Sequence, residues 1–84
     1  MKTFKDLRRM GRRLMRVHED LPRKEISVLI QEFDRIVDEF MDTRKLGITR
    51  FELIDQTLEL SKEETGQLLK VEEGLKNVEN QLKL

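Results

Sequence analysis

The side chains in this sequence with the clearest capacity for specific chemistry are cations near its start. Between residues 5 and 16 they recur at steps of three and four, the spacing that places side chains on one broad face of an α-helix. Because a guanidinium group binds anionic oxygens two at a time, this pattern predicts a surface that grips phosphate or carboxylate groups. The cations are Lys5, Arg8, Arg9, Arg12, Arg13 and Arg16.

A basic helix face of this kind suits four partners. Nucleic-acid phosphates bind it with release of counterions, and an anionic membrane attracts it by about 1 kcal/mol per cation. The other two are an acidic region of a second protein and the acidic helices of this chain itself, within one molecule or across a homodimer. The sequence holds no Tyr or Trp, and its four phenylalanines are needed for the core, so no aromatic side chain remains to stack on bases. We therefore expect a protein partner, with nucleic acid as the alternative and a membrane disfavoured.

The acidic residues are separated from the basic ones along the chain. The 84 residues include 17 basic and 17 acidic ones and carry no net charge. Residues 1–24 hold nine basic and three acidic residues, a net charge of +6, whereas residues 25–84 hold eight and fourteen, a net charge of −6. Such separation presents two electrostatic faces to partners. On the acidic side we predict that a partner binds Asp34, Asp38 and Glu39, which lie on the polar side of an amphipathic pattern.

Catalytic and metal-binding chemistry has little support in the residue types present. There is no cysteine, and His18 is the single histidine. It is followed directly by two acids, but consecutive residues of a helix point in different directions and do not converge on a metal ion. The two serines, Ser27 and Ser61, have no oriented base in the pattern, and no glycine-rich phosphate loop occurs. We expect a protein without enzymatic activity, cofactor or metal.

The elements that must position these residues are helices, because apolar residues recur at helical spacing and helix breakers are scarce. We predict a basic helix at residues 3–19, a core helix at 23–42, a short helix at 50–60 and a last helix at 62–83. Three starts carry the capping box of a Ser or Thr followed three residues later by an acid. These pairs are Thr3 with Asp6, Thr49 with Glu52, and Ser61 with Glu64.

Two glycines carry structural predictions of their own. Gly11 lies inside the basic helix, where it costs about 1 kcal/mol relative to alanine, and this predicts a close approach or a bend at that point. Gly47 follows the core helix and suits a left-handed cap.

Residues 60–71, Leu-Ser-Lys-Glu-Glu-Thr-Gly-Gln-Leu-Leu-Lys-Val, resemble the start of a repressor-type helix-turn-helix motif. The resemblance implies that Gly66 lets two helices touch and that a following helix enters the major groove. The sequence departs from the motif because Lys70 occupies the turn-glycine position and Lys76 a buried aliphatic position. Three glutamates on the would-be recognition helix also repel phosphates. A single helix with a capping box explains the same residues.

The whole sequence predicts one all-α domain, residues 1–84, built as a small bundle of three to four helices and open to self-association. A chain of this length buries only about 60% of its unfolded surface, so its core is thin. No apolar run reaches the roughly 18 residues of a membrane span, and we expect a cytoplasmic protein. The predicted function is a small regulatory or adaptor protein that binds and modulates a larger host or cellular protein through charged helix faces. By analogy alone, it is comparable to the short, charged inhibitors of bacteria and their phages.

Overall fold

The computed structural model describes residues 1–82, which form three α-helices packed against one another and no strand. Helix α1 spans Phe4–Asp20, α2 spans Lys24–Thr43 and α3 spans Lys62–Leu82. The all-α bundle predicted from the sequence is therefore confirmed, with three helices rather than four. The bounds of α1 and α2 lie within one residue of the prediction, and the start of α3 coincides with it. The predicted end of α3 at residue 83 lies outside the described residues.

Helix α1 begins and ends where its sequence provides local signals. The backbone N–H of Thr3 donates to the Asp6 carboxylate over 2.9 Å, which is the predicted capping box. This hydrogen bond holds the pKa of Asp6 below its ordinary value. The helix ends before Pro22, since proline disfavours helical backbone in the residue that precedes it. Its buried stripe faces the core and consists of Phe4, Leu7, Met10 and Leu14.

Helix α2 lies in the centre of the bundle and packs against both other helices. The ring of Phe4, at the start of α1, lies 5.3 Å from the ring of Phe40, near the end of α2, so these helices run antiparallel. Helix α3 returns antiparallel to α2 on another side, while α1 and α3 touch each other less. The core stripe of α2 is the longest in the bundle and consists of Ile26, Leu29, Phe33, Ile36 and Phe40.

Glycines allow α2 to approach both neighbours closely. A Cβ atom placed on Gly11 would lie 2.8 Å from the Phe33 ring, and one on Gly74 would lie 2.7 Å from Leu29. The close approach predicted at Gly11 is confirmed. Nothing lies within 4 Å of a Cβ placed on Gly66, and α3 continues through it without a turn. The helix-turn-helix interpretation of residues 60–82 is therefore wrong, because Gly66 brings no two helices together.

The predicted helix at residues 50–60 is also wrong. In its place a short 3₁₀ turn at Phe51–Leu53 is followed by turns and an extended segment. The N–H of Phe4 donates to the carbonyl of Leu58 over 2.7 Å, and the N–H of Leu60 donates to that of Lys2 over 2.9 Å. This pairing with the start of the chain satisfies backbone groups that a helix would bond internally.

Local side-chain hydrogen bonds in the same segment also oppose a helix. The Asp55 carboxylate accepts the backbone N–H of Thr57 over 2.9 Å, a turn that competes with helical backbone bonding and that lowers the pKa of Asp55. The Thr49 hydroxyl donates to the Leu46 carbonyl and caps no helix. Before this segment, Gly47 has a left-handed backbone with φ of 63°, but it is not the cap of α2. Lys45, with φ of 55°, follows the C-cap residue Arg44 and takes that left-handed position instead.

Hydrogen bonds from an arginine to a buried glutamate join the segment between α2 and α3 to the end of α2 and the start of α3. The guanidinium of Arg44 donates to both carboxylate oxygens of Glu64, over 3.0 and 2.9 Å, and to the backbone carbonyls of Phe40 and Glu59. Glu64 also accepts the N–H of Ser61 over 2.8 Å, which confirms the capping box predicted there. Burial raises the pKa of Glu64, but the hydrogen bonds from Arg44 and Ser61 outweigh burial and hold that pKa below its ordinary value.

Candidate functional site

An open groove runs along the surface between α1 and α2. Because these helices are antiparallel, one end of the groove lies at the start of α1 and the end of α2, beside Phe51. The other end lies near Met15 and Ile30. The floor is apolar and is formed by Leu14, Met15, Ile30, Phe33, Val37 and Phe51.

Gly11 lies in the groove at a point where α1 and α2 approach closely. With no side chain at this position, the ring of Phe33 packs directly against the α1 backbone. Both residues line the groove, so the close approach of the two helices forms part of its surface. The glycine predicted to mark a close approach thus shapes the surface as well as the core.

The α1 wall of the groove carries a row of three arginines, Arg8, Arg12 and Arg16. They are spaced four residues apart, which on an α-helix corresponds to a rise of about 6 Å between neighbours and about 12 Å along the row. Arg12 and Arg16 are exposed, and Arg8 is half-buried. The structure thus brings three of the five predicted arginines to one edge of an apolar surface.

The other two predicted arginines lie outside the groove. Arg13 points towards α3 and forms an ion pair with Glu79. Arg9 is exposed and does not line the groove. The basic face predicted from the sequence is therefore broader than the groove, which takes only part of it. Within residues 1–82, Arg13 is the one of the five predicted arginines that forms an ion pair with an acidic residue of this chain.

Charge is opposite on the far side of the groove. Asp34 on α2 and Glu52 in the connection line it there, and Glu19 lies at the Arg16 end. Asp38 and Glu39, which were predicted to share a binding surface with Asp34, line a separate shallow surface further around α2. Only Asp34 of the three predicted acids is therefore near the arginine row.

The arginine row has no ionic partner within the described part of the chain. Among residues 1–82 the ion pairs join Arg13 to Glu79 and Arg44 to Glu64. The guanidinium groups of the row therefore have hydrogen-bond donors left for an external anion. An Arg12 or Arg16 side chain in this position combines a charged head with an apolar stem that extends the groove floor.

Sequence reasoning placed the three arginines of the row in a larger basic face and assigned most of the groove floor to the core. Ile30 and Val37 form a second apolar row on α2 beside the core row, and neither is fully buried. The available signal was the width of the apolar stripe on α2, which exceeds what two packed neighbours require. Phe51 was missed because the helix predicted around it does not form.

The residues considered for catalysis occupy structural positions. The Ser61 hydroxyl accepts the backbone N–H of Glu64 over 3.1 Å at the start of α3, and the Ser27 hydroxyl donates to the Arg23 carbonyl over 3.4 Å. Within residues 1–82, no three His, Cys, Asp or Glu side chains are grouped so as to hold a metal ion. None of the described helices combines the length and the apolar character needed to cross a membrane.

No protein-family model, characterised protein sequence or solved structure matches this chain. Its function is therefore inferred from the geometry and charge of the groove.

Proposed function

We propose that this protein is a small non-enzymatic regulatory or adaptor protein that binds a larger protein through the α1–α2 groove. The observation that carries the proposal is the row of Arg8, Arg12 and Arg16 along one edge of an apolar floor, without ionic partners among residues 1–82. Leu14 and Phe33 belong to the core, but Met15 is exposed and Ile30, Val37 and Phe51 are only half-buried, so part of the floor is accessible to a partner.

The two features together match the composition of a protein-binding surface. Interface hot spots are enriched in arginine and aromatic side chains, set in well-packed apolar pockets with a polar rim. The floor contributes the half-buried Phe51, and the arginine row supplies the rim. Burial of the floor provides non-directional affinity of about 25 cal/mol per Å² of apolar surface. The charges select an acidic partner and accelerate its approach.

Nucleic acid fits this surface less well. Phe4, Phe33 and Phe40 are buried, and Phe51 is half-buried with its ring 4.7 Å from that of Phe4, so no phenylalanine stands free to stack on bases. A phosphate backbone also makes no use of an apolar floor. Asp34 and Glu52 on the far wall would repel phosphates, and they would equally repel the headgroups of an anionic membrane.

The proposal is tested by affinity capture from a cell lysate with two charge-matched variants. R12E/R16E reverses two exposed arginines of the groove, and K5E/R9E reverses two exposed cations, also four residues apart, on the same helix but outside it. Circular dichroism checks that both variants keep the helical content of the wild type. Captured material is compared with and without nuclease, at low and high salt.

We expect one dominant protein that survives nuclease treatment, binds to the wild type and K5E/R9E, and is lost from R12E/R16E. Equal loss from both variants would mean that total positive charge, rather than the groove, makes the contact. Capture of nuclease-sensitive material alone, released by salt, would replace this proposal with nucleic-acid binding by α1.

A further inference from the structure

The shape and charge of the groove also define the kind of segment that fills it. Resting on the proposed function, we infer that the occupant is an amphipathic α-helix of the partner, about three turns long. It carries a row of carboxylates at intervals of three to four residues, facing Arg8, Arg12 and Arg16. Its adjacent apolar row rests on the groove floor.

Backbone hydrogen bonding selects a helix over an extended strand. The groove runs between α1 and α2, whose backbone N–H and C=O groups are bonded internally and offer no ladder to a strand. A strand in the groove would bury backbone groups without partners. A helix satisfies its own backbone and presents only side chains, which is the mode by which amphipathic helices dock in apolar grooves.

The length of the groove sets the length of the helix. From Arg8 to Glu19 the α1 wall rises by eleven residue steps, or about 16 Å along the helix. A docked helix of three turns covers the same distance. Carboxylates at every third or fourth position repeat at about 5 to 6 Å along its axis and so remain in register with the arginine row.

The opposite charges of the two walls fix the rotation of the helix about its own axis. Its acidic row must face α1, because Asp34 and Glu52 on the other wall repel carboxylates. The flank that faces Asp34 is therefore neutral or basic. This three-part pattern, acidic, apolar and then neutral or basic around one helix, is more specific than an acidic composition alone.

A second copy of this chain fits the groove less well than such a helix, although its α2 also carries acidic residues on its exposed side. Phe4 lies against Phe40 and Gly11 against Phe33, which sets the register between α1 and α2. If two copies pack groove to groove about a twofold axis parallel to the groove, α1 of one copy faces α2 of the other in that same register. Arg16 of one copy then lies opposite position 28 of the other, about 9 Å of helix rise from position 34. Part of the arginine row would remain unpaired.

The test is a selection from a displayed library of random helical peptides of about three turns, panned against the full chain. Peptides retained by the wild type are counter-selected against R12E/R16E, and the recovered sequences are aligned by helical position. One recovered peptide is then synthesised, and its affinity is measured by fluorescence anisotropy for the wild type, R12E and R9E. Its helicity is followed by circular dichroism.

We expect recovered peptides to share a carboxylate row beside an apolar row and to gain helicity on binding. R12E should weaken binding at least about tenfold and R9E less than about threefold. Replacing the peptide carboxylate that faces Arg12 with arginine should restore affinity for R12E. Sedimentation of the wild type should report a monomer at the concentrations used.

Three results would overturn the inference. They are recovered peptides that lack the acidic row or bind without helicity, a selection that yields no groove-dependent peptide, and a dimer that R12E dissociates. The proposed function is judged separately, by whether the protein captured from lysate is lost with R12E/R16E. If the captured protein is lost with R12E/R16E but the docked segment is not a helix, the proposed function stands and this inference alone fails.

Discussion

At the scale of single residues, the buried ion pair between Arg44 and Glu64 lies outside the groove and stabilises the fold. The Glu64 side chain is 6% exposed, and Arg44 surrounds it with two hydrogen bonds while its guanidinium also lies 3.7 Å above the Phe40 ring. Every buried polar side-chain atom among the described residues has a hydrogen-bond partner. A buried carboxylate with this set of donors is stabilised only while it remains charged.

We therefore predict that the protein loses stability in acid through Glu64 and Asp6. The pKa of each carboxyl is lower in the folded state than in the unfolded chain. Their contribution to stability is fully present above the unfolded pKa values of about 4. It is lost as pH falls through the lower folded values, because the unfolded chain then binds more protons. Urea unfolding followed by circular dichroism from pH 7 to pH 3 measures this loss.

The variant E64Q supplies the control for that measurement. It lacks the titrating group, so its stability should be lower than that of the wild type at pH 7 and should fall less steeply between pH 5 and pH 3. D6N/E64Q should be flatter again. An acid transition of E64Q as steep as that of the wild type would show that other carboxylates govern acid unfolding.

At the scale of helices, the three glycines inside helices have different surroundings and therefore different roles. Alanine is favoured over glycine in a helix interior by about 1 kcal/mol. We predict that G66A stabilises the protein by about that amount, because nothing lies within 4 Å of the added methyl group. In G11A the methyl group must displace the Phe33 ring from 2.8 Å, so the gain should be reduced or reversed.

Urea unfolding of the two variants under the same conditions measures the difference. The helix propensity term is shared by both, so G66A minus G11A isolates the cost of moving Phe33. Equal stabilisation by both would mean that the ring moves freely and that Gly11 is not needed for packing. G11A should also alter the groove floor, because Phe33 lines it.

Differences between the elements also explain which of them could be predicted from the sequence. The helices α1, α2 and α3 were predicted because each has a long apolar stripe and two of them begin with a capping box, and these local signals agree with the packing. The segment 50–60 carries similar signals at Thr49 and Glu52. It was predicted incorrectly because its backbone pairs with Lys2 and Phe4, residues distant in sequence. Propensity does not report such tertiary pairing.

The candidate site likewise has features that local sequence determines and features that packing between elements determines. Helical spacing alone predicted a broad basic face that includes Arg8, Arg12 and Arg16, but it did not separate these three from Arg9 and Arg13. The groove floor depends on which flank of the wide α2 stripe is covered by α1, and on Phe51 reaching the Phe4 ring. Both are outcomes of packing between elements. The split of the arginines between the groove and Glu79 likewise required the position of α3.

At the scale of the whole molecule, charge separation along the chain becomes charge separation in space. The basic helix α1 forms one side of a bundle with principal dimensions of 42 × 23 × 17 Å, and the acidic faces of α2 and α3 form other sides. Such a field acts over distances near the Debye length, which is about 8 Å at physiological ionic strength. It orients an acidic partner before contact, whereas the groove determines how long the partner stays.

We predict that these two effects separate in the kinetics of binding to the partner or to a selected peptide. Rising salt should lower the association rate constant and leave the dissociation rate constant nearly unchanged, because screening acts on the encounter. R9E should resemble added salt, since it alters the field outside the groove. R12E should both slow association and accelerate dissociation. Surface plasmon resonance at several ionic strengths measures both rate constants. If R9E accelerates dissociation as much as R12E does, the partner's contact extends beyond the groove to Arg9 and the groove does not bound the site.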